Sequence, residues 1–380
     1  MRLSLGMMFQ NFADWDRFLA LERGETNVGE PTVPDWLAWK EHLDVFLQAD
    51  ELGFDGLWSV EHHFTPYCLI PDPLQLLTYI AGRTKHIDVG SMVCVLPWWE
   101  PLKLAEEVAM LQTMLGDERK LHIGVGRGLA RREYNSLGID MDESRTRFDE
   151  VLRILKMALT NERFSFDGEH FHIPPTSIRP YPKDGAGLVD RIYGAWGSPP
   201  SIRVVAEAGI KPFLNPQKPL GDYDKDLTEF RQIREEQEGL PPVPPTIVLF
   251  GYCAETQEQA VADATRYSGE YHQSAMTHYE FGGDHLAKLK TYAHYAAAAA
   301  GAKTQPAQPQ ELFYVDQIVG TPDECIRRIQ HVQEKYGCEE LIMQVIYGGM
   351  PLSVAEKSIQ LFGREVVPAV HEMGVSVAVG

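Results

Sequence analysis

Residues 54–64 read Phe54-Asp55-Gly56-Leu57-Trp58-Ser59-Val60-Glu61-His62-His63-Phe64, a short apolar run that ends abruptly in an acid and two imidazoles. Upstream, Trp36, Leu37, Leu43, Phe46, Leu47 and Leu52 follow a helical spacing from a start at Pro34-Asp35. Gly53 then reads as the stop, because glycine enters the left-handed conformation without strain. The order is helix, stop, strand, titratable groups. In parallel α/β architectures the carboxyl end of a strand is where chemistry sits.

Outward from this stretch, short apolar runs alternate with amphipathic segments almost from end to end. Strands are expected over 3–9, 54–60, 87–96, 121–125, 191–195, 210–214, 246–252 and 339–346. Helix starts are marked by Asp72-Pro73, Glu100-Pro101, Ser198-Pro199 and Thr321-Pro322-Asp323. Eight strands, each followed by a helix, make the count of a closed (β/α)8 TIM barrel. A doubly wound sheet would want a Gly-rich turn after the first strand, and Met7-Met8-Phe9-Gln10-Asn11-Phe12 offers none. The expectation is one barrel domain over 1–380, with insertions near 13–33, 163–187 and 267–314. The last insertion carries an Ala-rich stretch at 296–300 and a Gln/Pro run at 304–309, and long loops at this end of a barrel serve as lids.

Composition narrows the function. The 380 residues are 44% hydrophobic and 23% charged, which is ordinary for a globular protein. A formal net charge of −19 repels phosphate backbones and anionic membranes, so neither nucleic acid nor membrane is an expected partner. Five dispersed cysteines without a C-x-x-C indicate reduced thiols. With no apolar leader after Met1 and no run of spanning length, a cytoplasmic, soluble protein is expected.

His62 is the candidate acid/base, since imidazole titrates near working pH. Strand alternation would send His63 the other way, into packing. The run Gly124-Val125-Gly126-Arg127-Gly128 ends strand 4; its glycines would let the backbone approach a ligand, and Arg127 offers a planar fork for phosphate. Arg145 could supply a second cation. The Gly197-Ser198-Pro199 turn opens a helix whose free N–H groups bind anions. Together these suggest one phosphate. Trp98 and Trp99, with Met8, Phe9, Phe64 and Tyr67, could wall an apolar pocket. No metal is expected: His170-Phe171-His172 has ligand spacing but lies in an insertion, away from any strand end. No serine has a G-x-S-x-G setting.

Several ordered motifs resemble the bacterial luciferase-like, flavin-dependent monooxygenases. They are the Gly53–Thr65 stretch (G-F-D-x-x-W-x-x-E-H-H-F-T), Val89–Pro97 (V-G-x-x-x-x-V-L-P), Arg127-Gly128-Leu129, Met141-Asp142-Glu143-Ser144-Arg145, and the run from Val319 to Ile326. The resemblance implies His62 as the catalytic histidine, Arg127, Arg145 and the Gly197-Ser198 turn as FMN phosphate ligands, and a non-proline cis peptide at Met92-Val93 under the flavin ring. It implies reduced FMN from a separate NAD(P)H-dependent flavin reductase, O2, a small organic substrate, and a homodimer or higher homo-oligomer. Oxygen activated on the flavin would act as a nucleophile on a carbonyl, or as an electrophile on an amine or an electron-rich carbon. A deazaflavin-dependent dehydrogenase of the same superfamily and a non-catalytic flavin-binding protein are the alternatives. Two positions depart from luciferase itself: its reactive strand-4 thiol is Gly126 here, and its glutamate after strand 5 is Trp196.

Overall fold

The computed structural model describes residues 1–197, 199–216, 218–236, 243–281, 283, 285–289, 292 and 316–373. Eight parallel strands form the barrel: β1 (Arg2–Met7), β2 (Gly56–Ser59), β3 (Asp88–Val95), β4 (Leu121–Gly126), β5 (Ile192–Ala195), β6 (Lys211–Leu214), β7 (Thr246–Cys253) and β8 (Glu340–Gln344). All eight fall within or across the expected runs. The sheet closes because β6 pairs with β7 (Phe213↔Thr246, Leu214↔Ile247), while β1 lies between β8 and β2 (Leu5↔Met343, Leu5↔Leu57). Closure leaves no sheet edge among these strands. The short strand Ile318–Gly320 adds to the carboxyl half of β7.

The helices start where the proline signals lie. Asp72 and Glu100 each accept a backbone N–H from the third residue on, capping Pro73–Arg83 and Pro101–Leu115. Asp35–Phe46 begins after Pro34, and Gly53 adopts φ +81° between that helix and β2. Strand alternation then divides the core. Leu3, Leu5 and Met7 face the helices, whereas Trp58, Tyr193, Phe213, Val248 and Ile342 pack together inside the barrel. Gly90 makes room there, since a Cβ would lie 2.5 Å from the Trp58 ring.

The amino-terminal floor of the barrel is polar. Glu340 Oε1 accepts from Ser4 Oγ at 2.5 Å and from Trp58 Nε1 at 3.0 Å. Arg2 Nη2 donates to Asp88 Oδ2 at 2.7 Å, and its Nε lies 3.6 Å from Glu340 Oε2. His122 bridges Tyr193 Oη (3.0 Å) and Asp88 Oδ2 (3.5 Å). This network ties the first residues of β1, β3 and β8 together at the end opposite the mouth.

The first expected insertion contains the helix Trp15–Glu22, and the second an antiparallel hairpin of Phe164–Asp167 with His172–Thr176. Tyr267 lies inside the 22-residue helix Gln257–His278, whose carboxyl end reaches the mouth. The Ala-rich and Gln/Pro stretches expected to form a lid lie outside the described residues. Among the described residues, no helix is long and apolar enough to cross a membrane.

The floor makes a testable stability contribution. Burial would raise the Asp88 carboxyl above its ordinary 3.8, but His122 and Arg2 outweigh that and hold it lower. Its stabilisation is therefore complete above pH 3.8 and lost as pH falls through the lower folded value. Hydrogen bonds to charged groups are worth ~1.5–3 kcal/mol, and exposure of the Arg2 side chain puts Asp88→Asn at the low end, about 1.5 kcal/mol. Urea midpoints measured from pH 6 downward should show this deficit shrinking below pH 3.8. A deficit that stays constant on acidification would remove the ion pair from the account.

Candidate active site at the barrel mouth

After Ser59 the chain leaves β2 and crosses the mouth as a loop, pinned by Val60 N–H to Met7 O (3.3 Å) and His62 N–H to Ile70 O (3.1 Å). The His62 imidazole sits between two partners from distant parts of the chain. Its Nδ1 lies 3.2 Å from Glu133 Oε1, and its Nε2 lies 3.2 Å from the Tyr279 hydroxyl. Glu133 comes from the short helix Arg131–Leu137 after β4, and Tyr279 directly follows the helix Gln257–His278.

Glu133 is fully buried. Burial alone would raise its pKa, but the adjacent His62 and His278 imidazoles outweigh that and hold it well below the usual carboxylate range. An ionised carboxylate only accepts hydrogen bonds, so His62 Nδ1 carries the hydrogen and donates it. Nε2 then accepts from Tyr279. A second imidazole, His278, stacks on Tyr67 with ring centroids 4.4 Å apart. Its Nδ1 is 2.8 Å from Thr65 Oγ1, and its Nε2 is 3.5 Å from Glu133 Oε1. Burial, ahead of all other influences, lowers its pKa to about 4, so it is neutral at working pH.

His63 is held differently from the alternation argument, because β2 has already ended at Ser59. Its backbone N–H donates to Glu133 Oε1 at 2.7 Å, and its Nε2 lies 3.4 Å from Glu61 Oε1. Buried Glu61 also accepts from Val95 N–H (2.6 Å) and Trp99 Nε1 (3.0 Å). Glu61 thus locks the mouth loop to the end of β3.

A cleft of 510 Å³ opens beside His62 and His63. Phe18, Leu21, Trp36 and Trp39 line it with Phe64, whereas Met8, Phe9, Trp98, Trp99 and Tyr67 are not part of this lining. Phe9 lies beyond the end of β1 and stacks on Phe46 in the helix layer. Trp98 instead packs edge-on against His63 and Tyr134.

The strand-4 glycines also let β3 come close. A Cβ on Gly124 would lie 2.1 Å from Ser91 O, and one on Gly126 would lie 2.5 Å from Val93 Cγ2. They accommodate β3 where its register shifts between Ser91 and Cys94, and the Met92–Val93 peptide inside that shift is cis. Met92 occupies the barrel interior, its Cε 2.6 Å from where a Gly6 Cβ would be. Trp196, in turn, points into the helix layer, donating to Asp226 Oδ2 at 3.0 Å and stacking on Phe230.

Arg127 and Arg145 lie on one side of the mouth. The Arg127 guanidinium stands 4.1 Å over the Tyr292 ring, whose hydroxyl donates to Gly128 O and lies 3.0 Å from Ser144 Oγ. Arg145 Nη2 donates to Ser201 Oγ at 2.7 Å, in the first turn of Pro199–Glu207. Both arginines act on half-buried Asp149, whose carboxyl is raised by burial and pulled down by Arg145, Arg153 and Arg127. Gly197 precedes this helix; Ser198 lies outside the described residues. His170 and His172 do not converge: they pair with Thr146 Oγ1 (2.6 Å) and Asp167 Oδ1 (2.6 Å) on the hairpin side.

Glu133, His278 and Tyr279 are the site residues that sequence reading missed. Glu133 follows two arginines at a helix start and looks like a solvated charge, and no spacing links residues 62, 133 and 278. Their importance is measurable. Glu133→Ala leaves the buried His63 N–H without its acceptor, a loss of ~1–3 kcal/mol, while Glu133→Gln retains a carbonyl oxygen there and should recover much of it. Guanidinium unfolding midpoints compare the two, and equal values would mean that the His63 bond contributes nothing.

Known proteins give the family and the fold. The chain is 31% identical to the alkanal monooxygenase alpha chain of Photorhabdus luminescens over 142 residues, 37% of this chain and 39% of that one. The first curated relatives are matched over less than two fifths of their own length. The oxygenase component of the flavin-dependent trigonelline monooxygenase of Acinetobacter baylyi is 24% identical, over 89% of this chain and 91% of that one. The oxygenating constituent of 3,6-diketocamphane monooxygenase from Pseudomonas putida, solved with FMN, shares the fold at a TM-score of 0.71 and 20% identity, covering 99% and 100% of the two chains. So does an F420-dependent secondary alcohol dehydrogenase, at a TM-score of 0.64 and 15% identity over 87% and 94%. The profile of the luciferase-like monooxygenases runs from residue 17 to residue 338, through the His62 loop, the strand-4 arginine and the helix that carries His278, and it is to that family that this chain belongs.

Proposed function

We propose that the chain is the oxygenase of a two-component system, taking reduced FMN from a separate NAD(P)H-dependent flavin reductase and using O2 to oxidise a small, largely apolar organic molecule. The observation that carries this reading is His62, held at the mouth between a buried ionised carboxylate and a phenol. The named oxygenase component among the relatives favours a reductase partner. Exposed Trp36, Phe64 and Tyr79 favour work as a homodimer or larger homo-oligomer, which sedimentation velocity reads directly.

The residues fit a flavin phosphate. Arg127, Arg145 and Arg153 all act on the region around Asp149, and planar guanidinium forks gathered there suit a dianion. The Gly197-Ser198 turn would add N–H donors at a helix start, and Met92–Val93 would lie under the ring. Bound reduced flavin would supply the electrons and the oxygen activation that no side chain here can provide. The protein's own work is then proton handling and dryness. Glu133 fixes the His62 tautomer, leaving Nε2 to take or return a proton at the reacting group. Tyr279 holds that atom until substrate displaces it. The apolar cleft receives the substrate and limits water around it.

His62→Ala should keep FMN affinity while substrate oxidation falls about 10²–10⁴-fold, because acid/base catalysis is worth that much. Oxygen uptake with reduced FMN and candidate carbonyl or amine substrates measures it, and unchanged turnover would exclude His62.

For the phosphate, FMN should bind well above riboflavin. Arg127→Ala should weaken FMN about tenfold or more, since one charge-assisted bond is worth ~1.5–3 kcal/mol, and should leave riboflavin almost untouched. Parallel titrations decide it; a wild type without preference for FMN would sink the assignment.

A further inference from the structure

We propose that His62, Glu133 and His278 form a three-ligand site for a divalent transition-metal ion of the zinc class, binding through His62 Nδ1, the Glu133 carboxylate and His278 Nε2.

The donor atoms are spaced as ligands. His62 Nδ1 and His278 Nε2 lie 3.2 and 3.5 Å from the same carboxylate oxygen, and one donor atom from each of the three residues lies within 4.8 Å of the others. Zinc–nitrogen and zinc–oxygen bonds of ~2.0–2.2 Å in a tetrahedron set ligand atoms about 3.4 Å apart. Two edges of that tetrahedron are therefore nearly in place, and the third closes by a small ring movement of His62.

Two polar atoms of the cluster have no other partner. His278 Nε2 and Glu133 Oε2 are buried, and neither has a hydrogen-bond partner among the described residues. An unpaired buried polar atom is costly, and one aimed at a carboxylate and an imidazole points to an absent partner. The donor set itself, one carboxylate and two imidazoles, is one that suits a divalent cation.

The outer partners are also those of a metal site. A ligating imidazole usually donates its second N–H to an oxygen, which fixes the ring and the tautomer. His278 Nδ1 meets Thr65 Oγ1 at 2.8 Å, and His62 Nε2 meets the Tyr279 hydroxyl at 3.2 Å. Both hydroxyls can accept as well as donate. His62 and Thr65 line the 510 Å³ cleft, which gives an ion its route and its fourth, open position.

Occupation would change the chemistry. Binding takes the Nδ1 lone pair of His62, so the hydrogen on that ring moves to Nε2 and faces Tyr279. The imidazole can then no longer use Nε2 as a base. A bound ion and proton handling exclude each other, which makes the ion an off-state of the mouth. This consequence rests on the role proposed for His62; the binding does not.

The test uses the full chain without flavin, so its failure is separate from that of the flavin reading. Co²⁺ titration should develop the visible d–d bands of a four-coordinate ion at one equivalent, and Zn²⁺ should displace it. Glu133→Gln and His278→Gln should abolish the bands. Thr65→Val, which keeps all three ligands, should weaken Co²⁺ about 10–100-fold. Circular dichroism of each variant separates loss of the site from loss of the fold; should His278→Gln not fold, Thr65→Val and Tyr279→Phe still decide. A spectrum that stays that of hydrated Co²⁺, bands that persist in Glu133→Gln, or an unchanged affinity in Thr65→Val and Tyr279→Phe would each overturn the site.

Discussion

A carboxylate removed from water must be surrounded by donors or positive charge, and Glu133 meets that requirement by drawing three remote segments to one atom. Its Oε1 receives the His63 N–H, faces His62 Nδ1, and lies near His278 Nε2. The desolvation cost of an unpaired buried ion runs to several kcal/mol. The mouth loop, the helix after β4 and the end of the long helix after β7 are therefore not free to move independently. Each is the counter-charge or hydrogen-bond donor that the other two require.

The barrel separates this constellation from a second polar network of the same size. Arg2, Asp88, His122 and Glu340 sit at the strand beginnings, whereas Glu61, His62 and Glu133 sit at the strand ends. Between them the interior is filled by Trp58, Tyr193, Phe213, Val248 and Ile342. An apolar plug of that kind keeps the two sets of charges from coupling, so the floor can hold the barrel shut independently of the mouth.

The strands and helix starts were legible because their signals are local. Apolar runs, Pro at the first helical position and Gly53 each act within a few residues, and all eight barrel strands follow from them. The site was legible only where position along the chain implied position in space: His62 follows a strand, and Arg127 ends one. Glu133 and His278 lie 71 and 216 residues beyond His62 by number, and burial, not composition, makes them special. Gly124 and Gly126 show what a local signal leaves open. A glycine announces that something comes close without naming it, and the neighbouring strand does so here.

That close approach links two positions into one volume. Val93 Cγ2 occupies the space where residue 126 would place its Cβ, at 2.5 Å, so strand 4 can carry a side chain there only if strand 3 gives one up. Overpacking of a tight core costs ~1–3 kcal/mol, enough to penalise either change made alone. A side chain at residue 126 therefore calls for a residue smaller than valine, or one turned away, at 93. Substitution at the two sites is then compensatory, a constraint on which pairs of residues the two strands can carry together.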